Sequence, residues 1–377
     1  MSFSSIESLV HSHLGKTFPA AQLAIWMRGE RMYLNAFGHL DPEQTSQPTN
    51  LQTRFDFASV SKLFTVAALM TFVEEGRVAL DQPVCELLPE FVGARAIEPY
   101  PDPLKPGAVV QVVSTTRARV DARQVTLRHL LAHNSGLPAW LPLWKSDKRE
   151  ERRATALTCA FAYPTGTRVV YSDIGLILVG FTLEKLAGES LDAIVRERVT
   201  APLGLASVGY GQIPPDNVAP TEFYAHQQRR MCGEVHDENA WSLGGVAGHA
   251  GVFGTARDLA AFGEALRTNR LLKRETLAEM TRLQAQDGAV RRGIGFVLWS
   301  PDPDSASHPL STQSFGHTGF TGTSLWIDPT RDLMIACLTN RVYYGRDNAD
   351  ALMRFRVALH RAICQAFEVT RDKSRDT

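Results

Sequence analysis

The strongest constraint on the fold is a change of character along the chain, because strand-like segments stand at both ends and helical segments fill the middle. Near the start, residues 22–27 and 31–37 are rich in aromatic and apolar side chains and flank Arg28-Gly29-Glu30, which predicts a β-hairpin. Near the end, three more segments have strand-like patterns, at 293–300, 323–327 and 333–339. Residues 328–332, between the last two, predict a turn.

Helices are predicted where apolar side chains recur every three or four residues. These segments are 4–14, 59–75, 126–133, 147–161, 173–187, 190–200, 256–268, 274–285 and 348–367. Gly76 and Gly188 stand just after two of them, where a glycine commonly ends a helix. Residues 99–106 are rich in proline, so neither a helix nor a central strand fits there, and a surface excursion is predicted.

The simplest packing of this order is an α+β fold, in which an antiparallel sheet built from both ends of the chain is flanked by the terminal helices. We expect one domain over residues 1–377, with a sheet lobe from 1–58 and 240–377 and a helical lobe from 59–239. A cleft between these lobes is the expected place for an active site.

Charge and hydropathy exclude several classes of protein. The 377 residues include 40 basic and 40 acidic side chains, whereas nucleic-acid binders normally carry a basic excess. Apolar runs such as 174–181 are far shorter than the roughly 20 residues that span a bilayer, so no membrane contact is expected. The five cysteines are scattered and form no C-x-x-C pair, so neither a disulfide framework nor a zinc ribbon is expected. Because residues 1–20 carry charges where an export signal needs an apolar stretch, the expected location is the cytoplasm.

Ser59-Val60-Ser61-Lys62 is the only S-x-x-K in the sequence. Residues three apart share a helix face, so the Lys62 amine can approach the Ser59 hydroxyl, which needs a base to become a good nucleophile. Lys62 can be that base only if its pKa falls well below about 10.4, the direction in which burial and a neighbouring cation both act. At a helix N-terminus, Ser59 also lies near backbone N–H groups that can stabilise an oxyanion. Taken alone, the motif fits a helix-capping serine followed by a solvated lysine better, so it needs further support.

Two further motifs supply that support. Tyr171-Ser172-Asp173 begins the predicted helix at 173–187, and His317-Thr318-Gly319 precedes a predicted strand. With these motifs in this order, the sequence resembles the serine β-lactamase and penicillin-binding-protein superfamily, and more narrowly its branch of class C β-lactamases, D-alanyl-D-alanine carboxypeptidases and related esterases. That family carries S-x-x-K, then Y-x-N or a variant, then K-T-G or H-T-G. The resemblance extends from about residue 20 to 340 and includes the family-like segment LLAHNSGLP at 130–138.

The resemblance implies a role for each motif residue. Ser59 would be the acylated nucleophile, and Lys62 and Tyr171 would share the general-base and general-acid work, with the first proton acceptor left open between them. The backbone N–H groups of Ser59 and Phe320 would form the oxyanion hole. The residues expected to contact the substrate are Asp173, His317, Thr318 and Gly319. No cofactor is implied.

Two positions depart from the usual family pattern. Asp173 replaces the more common asparagine, so an amide becomes an acceptor-only carboxylate, and His317 replaces a permanent cation with a group that is mostly neutral at pH 7. Both changes weaken recognition of a substrate carboxylate, which favours carboxylic esters as substrates. D-Alanyl-D-alanine-type peptides, cell-wall fragments and β-lactams are the alternatives within the hydrolases. A non-catalytic homologue that binds such ligands is the alternative from another class.

Two remaining groups of histidines are expected to be structural. The spacing of His236, Asp237 and His249 matches no standard metal-ligand set, so a glycine-rich structural loop near the cleft is favoured over a metal site. His133 and Asn134 are expected to be buried hydrogen-bonding groups.

Overall fold

A computed structural model describes residues 3–105, 107–112, 119–225 and 227–373, with side chains as far as residue 367. Its helices are α1 (Ser4–His13), α2 (Ser61–Glu74), α3 (Val84–Leu87), α4 (Leu127–Leu131), α5 (Arg149–Thr158), α6 (Asp173–Ala187), α7 (Leu191–Val195), α8 (Glu238–Ser242), α9 (Ala256–Arg267), α10 (Arg274–Thr281) and α11 (Ala349–Lys373). Its strands are β1 (Ala20–Met27), β2 (Glu30–Gly38), β3 (Phe55–Asp56), β4 (Ala94–Ala96), β5 (Tyr100–Pro101), β6 (Val109–Val110), β7 (Arg119–Asp121), β8 (Gly209–Tyr210), β9 (Phe223–Tyr224), β10 (Arg229–Arg230), β11 (Val252–Gly254), β12 (Ala285–Asp287), β13 (Val290–Arg292), β14 (Val297–Leu298), β15 (Phe315–Thr318), β16 (Ser324–Asp328) and β17 (Leu333–Thr339). Among the helices of these residues, none is both long enough and apolar enough to cross a bilayer.

The largest element is an eight-stranded antiparallel sheet in the order β12-β13-β14-β15-β16-β17-β1-β2. Because β1 pairs with β17, the two ends of the chain meet in one sheet, which confirms the predicted α+β architecture. The predicted hairpin is also confirmed, since β1 and β2 pair across Arg28 and Gly29, whose φ angles are 53° and 82°. Left-handed φ values at both central positions match the tight turn that suits strand twist.

The sheet is covered by apolar side chains on both faces. Successive residues of a strand point to opposite faces, so Leu23 and Ile25 of β1 pack with α1 and α11, whereas Ala24 belongs to the core around α2 and α9. Trp326 of β16 lies in the same cluster as Leu23. The helices of the chain termini therefore cover one face, and the central helices cover the other.

Helix α2 lies inside the protein rather than on its surface. Every residue from Ser61 to Met70 is buried, including Lys62. The predicted helix at 59–75 is confirmed within two residues at each end, and Gly76 follows it with a left-handed φ of 69°. A helix that is apolar on all sides is a core helix, so its lysine requires polar partners inside the fold.

The predicted strand at 293–300 is wrong over most of its length, because β14 is only two residues long. The preceding chain forms a buried loop whose backbone bonds to helices: the Ile294 N–H donates to the Met280 carbonyl at 2.8 Å, and the Gly295 N–H donates to the Leu131 carbonyl at 3.0 Å. Gly295 has a φ of 74°, which a strand cannot accommodate. This loop carries the chain directly on from Arg292, the last residue of β13.

Other boundaries differ by smaller amounts. The predicted helices at 147–161 and 274–285 end at Thr158 and Thr281, and the one at 190–200 is α7 followed by a π-helical turn at Arg196–Thr200. In the proline-rich segment, β5 pairs only with β6, outside the large sheet, as expected of a surface excursion; Pro106 lies outside the described residues.

Candidate active site

Ser59 lies in a short 3₁₀ turn, Ala58–Val60, that leads from β3 into α2. Asp56 holds this turn, since its Oδ1 accepts the Ala58 N–H at 2.8 Å and its Oδ2 accepts the His236 N–H at 2.7 Å. Ala58 has a φ of 46°, a left-handed value that costs conformational energy in a non-glycine residue. The buried Asp56 therefore stabilises a strained turn that presents Ser59, which stays partly exposed.

Lys62 is 1% exposed, and its ammonium contacts three oxygen atoms. Its Nζ lies 3.0 Å from Ser59 Oγ, 3.0 Å from the His249 carbonyl oxygen and 2.7 Å from Asp173 Oδ1. The expected approach of Lys62 to Ser59 is therefore present. An N-cap serine followed by a solvated lysine does not describe this arrangement, because the lysine is buried and paired.

The pKa of Lys62 does not follow the sequence-based expectation. Burial alone lowers the pKa of this amine, but the carboxylate of Asp173 and the nearby Tyr171 act in the opposite direction and outweigh it, so the pKa lies above its ordinary value. The expectation considered burial and neighbouring cations and omitted the anion at residue 173. Asp173 is 18% exposed and begins α6, where Ser172 caps the helix.

Tyr171 lies beside the Ser59–Lys62 pair. Lys62 Nζ is 4.9 Å from the centre of the Tyr171 ring, and the rings of His133 and His317 lie at centroid distances of 4.6 and 5.9 Å. The Tyr171 hydroxyl is buried without a well-aligned hydrogen bond to any described residue. Burial raises the pKa of Tyr171, although the charge of Lys62 acts in the opposite direction.

His317 is buried at the end of β15, one strand position before Thr318. Its Nδ1 lies 2.8 Å from the Thr318 carbonyl oxygen, so this nitrogen carries the proton and Nε2 has the free lone pair. Burial, together with the charges of Lys62 and Arg292, holds the pKa of His317 well below its ordinary value. The imidazole is therefore neutral at pH 7, as the sequence predicts.

The chain after β15 packs directly on the turn that holds Ser59. Thr321 Oγ1 and Thr323 Oγ1 donate to the Asp56 and Phe57 carbonyl oxygens, each at 2.7 Å. A Cβ added at Gly319 would overlap the Phe57 carbonyl and the Thr323 hydroxyl, so only glycine fits this close approach. These contacts place the Gly319-Phe320 backbone against the serine turn.

Phe320 is fixed by its neighbours. Its carbonyl oxygen accepts the Arg341 Nε–H at 2.8 Å, and its ring stacks on the His236 ring with centroids 5.7 Å apart. Outside their own secondary-structure elements, the backbone N–H groups of Ser59 and Phe320 donate to no acceptor among the residues that the structure describes. Two unengaged amides close to the serine turn are what an oxyanion site requires.

The histidines near the glycine-rich stretch form two separate pairs instead of one ligand set. His249 Nε2 lies 2.7 Å from Asp237 Oδ1, and His236 Nε2 lies 2.8 Å from Glu222 Oε2. A Cβ at Gly248 would overlap the Leu176 carbonyl of α6, so the glycine permits the close approach expected of this loop. The approach brings the His249 carbonyl to Lys62.

His133 and Asn134 were both predicted to be buried side chains with hydrogen-bond partners, and this holds only for His133. His133 is buried, and its Nδ1 accepts the Ser172 N–H at 3.1 Å, as expected. The prediction for Asn134 is wrong, because this residue is partly exposed and its Oδ1 finds no donor in the described ranges. His133 itself has a left-handed φ of 57°.

Sequence reasoning missed two residues of this region, Asp56 and Arg292. An aspartate two residues before a turn commonly bonds to the backbone ahead of it, so Asp56 had a recognisable signal. Arg292 had none, because an arginine in a polar strand is ordinarily a solvated side chain. Its guanidinium carbon lies 5.2 Å from the centre of the Tyr171 ring.

The predicted site residues therefore lie in one region, where β15 and the loop after it meet the start of α2 and the start of α6. They are Ser59, Lys62, Tyr171, Asp173, His317, Thr318, Gly319 and Phe320. The region contains a hydroxyl beside a buried ammonium, a buried phenol, and backbone amides. Nucleophilic acyl transfer requires these groups as nucleophile, proton-transfer groups and oxyanion donors.

A family model described as Beta-lactamase matches residues 6–359. This match spans most of the chain, so the chain belongs to the Beta-lactamase family, and the resemblance to the serine β-lactamase and penicillin-binding-protein superfamily is confirmed.

Relatives and a solved structure agree with this assignment. The chain is 30% identical over 378 residues to an N-acetylmuramyl-L-alanine amidase of Bacillus subtilis (strain 168), covering 89% of this chain and 80% of the relative. It is 27% identical over 367 residues to a putative D-alanyl-D-alanine carboxypeptidase of Escherichia coli (strain K12), covering 86% and 79%. The structure of EstCE1, a hydrolase with promiscuous acyltransferase activity, superposes with a TM-score of 0.74 at 21% identity, covering 95% of this chain and 98% of that one. The likeness to EstCE1 confirms the fold, and the family with its relatives supports a hydrolase.

Proposed function

We propose that the chain is a serine hydrolase that forms an acyl-enzyme on Ser59. The observation that carries this proposal is the contact of 3.0 Å between Lys62 Nζ and Ser59 Oγ in a buried cluster that also contains Tyr171. A serine hydroxyl becomes a competent nucleophile when a group within hydrogen-bond reach can take its proton. The residues 1–377 would then form one catalytic domain.

In the acylation step, Ser59 Oγ attacks the carbonyl carbon of the substrate while its proton passes to Lys62 or Tyr171. The same group then returns that proton to the leaving oxygen or nitrogen as the bond to the acyl carbon breaks. Water next attacks the acyl carbon, gives up a proton to this pair of residues or to Asp173, and Ser59 leaves with its hydroxyl restored.

The protonation states of the described cluster constrain this step. An ammonium has no lone pair, and a neutral phenol is too weak a base to take a proton from a serine hydroxyl, so one of the two groups has to lose a proton before it can accept the proton of Ser59. Because the pKa values of both Lys62 and Tyr171 are raised, the active form becomes more populated as pH rises. Activity that increases towards alkaline pH is therefore expected.

The backbone N–H groups of Ser59 and Phe320 are proposed to bind the oxyanion. Their support is the packing of Gly319 against Phe57 and the absence of other acceptors for these amides among the described residues. Such donors are worth about 10²–10³ in rate when one is removed.

Carboxylic esters are the proposed substrate class. Asp173 is engaged by Lys62 and has no N–H to offer to a substrate amide, and the neutral His317 offers no permanent charge. Amide hydrolysis is the second candidate, favoured by the amidase that is 30% identical over 89% of this chain and by the putative carboxypeptidase. β-Lactam hydrolysis comes third.

The test is hydrolysis of p-nitrophenyl butyrate, followed for a pre-steady-state burst. Wild-type protein should release one equivalent of nitrophenol rapidly and carry a butyryl mass adduct on Ser59, whereas Ser59→Ala should do neither and remain folded. The control is Ser12→Ala, since Ser12 lies exposed on α1 and its hydroxyl bonds only locally to Leu9. A Ser59→Ala protein with unchanged turnover would refute the proposal.

A further inference from the structure

The segment at 247–252 carries the His249 carbonyl to Lys62 and is held between two helices. On one side, the Gly248 backbone packs so closely on α6 that an added Cβ would overlap a carbonyl oxygen of that helix. On the other side, the Val252 N–H donates to Ser61 Oγ of α2 at 3.0 Å. The backbone of this segment is therefore fixed on both sides of His249.

The contacts of Lys62 decide where its nitrogen lone pair points. Its Nζ lies 3.0 Å from Ser59 Oγ, 2.7 Å from Asp173 Oδ1 and 3.0 Å from the His249 carbonyl oxygen. The form of Lys62 that can accept the proton of Ser59 is the neutral amine, which has two N–H donors and one lone pair. When the two N–H groups donate to Asp173 and to the His249 carbonyl, the lone pair is left for Ser59. Loss of the His249 contact would free the amine to turn.

The side chain of His249 is anchored by Asp237. The imidazole is 1% exposed, its Nε2 lies 2.7 Å from Asp237 Oδ1, and its Nδ1 has no hydrogen-bond partner among the described residues. Because a carboxylate only accepts, Nε2 carries the proton of this bond. The bond to Asp237 therefore sets the orientation of the ring.

Asp237 is itself fixed from two sides. Its Oδ1 also accepts an N–H of the first turn of α8 at 2.8 Å, and directly before it the His236 N–H donates to Asp56 Oδ2 at 2.7 Å. Burial raises the pKa of Asp237, but the interactions with His249, with the N–H of α8 and with the charge of Lys62 outweigh this effect. The pKa lies below its ordinary value, so Asp237 is ionised at neutral pH and remains an acceptor.

We infer that the Asp237–His249 pair positions Lys62 for the transfer of the Ser59 proton. The bond between the two side chains holds His249 in place, and the His249 carbonyl directs the Lys62 amine. In the step that this serves, the Ser59 Oγ–H bond breaks and an Nζ–H bond forms on Lys62, while an Oγ lone pair forms the bond to the acyl carbon. The inference rests on the proposed function and deepens it, since it gives two residues of the glycine-rich region a part in the reaction. Both are positioning residues, because they act through Lys62.

The test removes the bond between the pair while the charge is held constant. Asp237→Asn is the reference, because its amide oxygen can still accept from His249 and from α8 although the carboxylate is gone. In this background, His249→Leu removes the bond, whereas His249→Gln places an N–H near the position of Nε2 and should keep it. The measured quantities are the burst rate constant for p-nitrophenyl butyrate at saturating substrate and the substrate concentration that gives half of this rate.

His249→Leu is expected to slow the burst of Asp237→Asn by about tenfold or more, because a small misplacement of a catalytic group has an effect of this size. The half-saturating concentration should not change, since the lost contact acts on proton transfer and not on substrate binding. His249→Gln should restore most of the rate. His129→Leu in the same background is the control, because His129 Nδ1 accepts the Thr126 N–H at the start of α4 at 3.1 Å, so it loses a comparable bond elsewhere. Its burst should match that of Asp237→Asn.

Two outcomes would overturn the inference: a burst that His249→Leu does not slow, or a rate that His249→Gln fails to restore although its Tm equals that of Asp237→Asn. If His249→Leu does not fold, Asp237→Ser replaces it, because the serine hydroxyl still caps α8 but is too short to reach His249. Its burst should then be slower than that of Asp237→Asn, and equal rates would contradict the inference. In each case the burst still amounts to one equivalent, whereas failure of the proposed function would remove the burst from the wild type.

Discussion

The contact between Lys62 and Asp173 sets the protonation of the proposed catalytic groups, and it can be removed with a single atom-for-atom replacement. Lys62 Nζ lies 2.7 Å from Asp173 Oδ1, and the two side chains are 1% and 18% exposed. Asp173→Asn keeps the size of the side chain and removes its charge. The amide at this position is also the more common residue of the family pattern, so the variant should fold.

The expected change in the pKa of Lys62 can be judged from the distance between its charge and that of Asp173. Opposite unit charges 2.7 Å apart attract each other by about 6 kcal/mol at an effective dielectric constant of about 20. Solvent at the partly exposed Asp173 screens some of this energy. A protonation equilibrium changes tenfold for each 1.36 kcal/mol, so about a quarter of the attraction is enough to change the deprotonated fraction of Lys62 tenfold.

Loss of the Asp173 charge lowers the pKa of both candidate bases, Lys62 and Tyr171. Without the carboxylate, burial is the largest influence on Lys62 and lowers its pKa. Asp173 also raises the pKa of Tyr171, so its removal lowers that pKa as well. Whichever group accepts the proton of Ser59, the active form of Asp173→Asn is reached at lower pH.

The assay is kcat/KM for p-nitrophenyl butyrate as a function of pH. The rising limb of the Asp173→Asn profile is expected to lie about one pH unit or more below that of the wild type. Asp147→Asn serves as the control, because Asp147 is exposed, and its profile should match the wild type. If the rising limb of the Asp173→Asn profile stays in place or moves to higher pH, the reasoning is refuted, because the charge of Asp173 would then not raise the pKa of the catalytic base.

Three further predictions concern the scaffold of the site and the stability of the fold. Gly319→Ala should lower kcat/KM by about 10² or more, because its Cβ overlaps the Phe57 carbonyl and displaces an oxyanion donor, whereas Gly209→Ala, which has open space, should not. Asp56→Ala should lower the free energy of unfolding in urea by about 2–4 kcal/mol, since two buried N–H groups lose their acceptor; a loss below that seen for an exposed aspartate would contradict this. His360 is buried with a pKa lowered by burial to about 4, so the unfolded chain binds the extra proton between pH 6.5 and 4, and stability is lost as pH falls through this window. His360→Gln should therefore lose about 2 kcal/mol less than the wild type between pH 6.5 and 5, measured by urea unfolding at each pH.

The features that the sequence predicts well depend on local patterns. The hairpin at Arg28-Gly29 and the approach of Lys62 to Ser59 each involve residues a few positions apart, whose geometry is set by strand pairing or by the helix repeat. The order of the three motifs then indicated that Tyr171 and His317 belong to the same site, because a family resemblance carries long-range information that spacing alone does not.

The features that the sequence did not predict depend on contacts between distant segments. Lys62 is paired with Asp173 and donates to the carbonyl of His249, and neither partner lies within a hundred residues of it along the chain. The pKa of Lys62 therefore could not be inferred from its motif. Arg292 has no sequence signal, because what distinguishes it is that its buried Nε and Nη1 atoms lack an acceptor among the described residues, a property of packing alone.

The two departures from the family pattern act in the same direction on the charge of the described site. Asp173 neutralises Lys62, and His317 is an uncharged imidazole where a lysine would add a second positive charge. Arg292 then remains as the one uncompensated cation near Tyr171 among the described residues. Both departures therefore lower the positive charge of the site, which is the direction that favours the uncharged ester substrates proposed above.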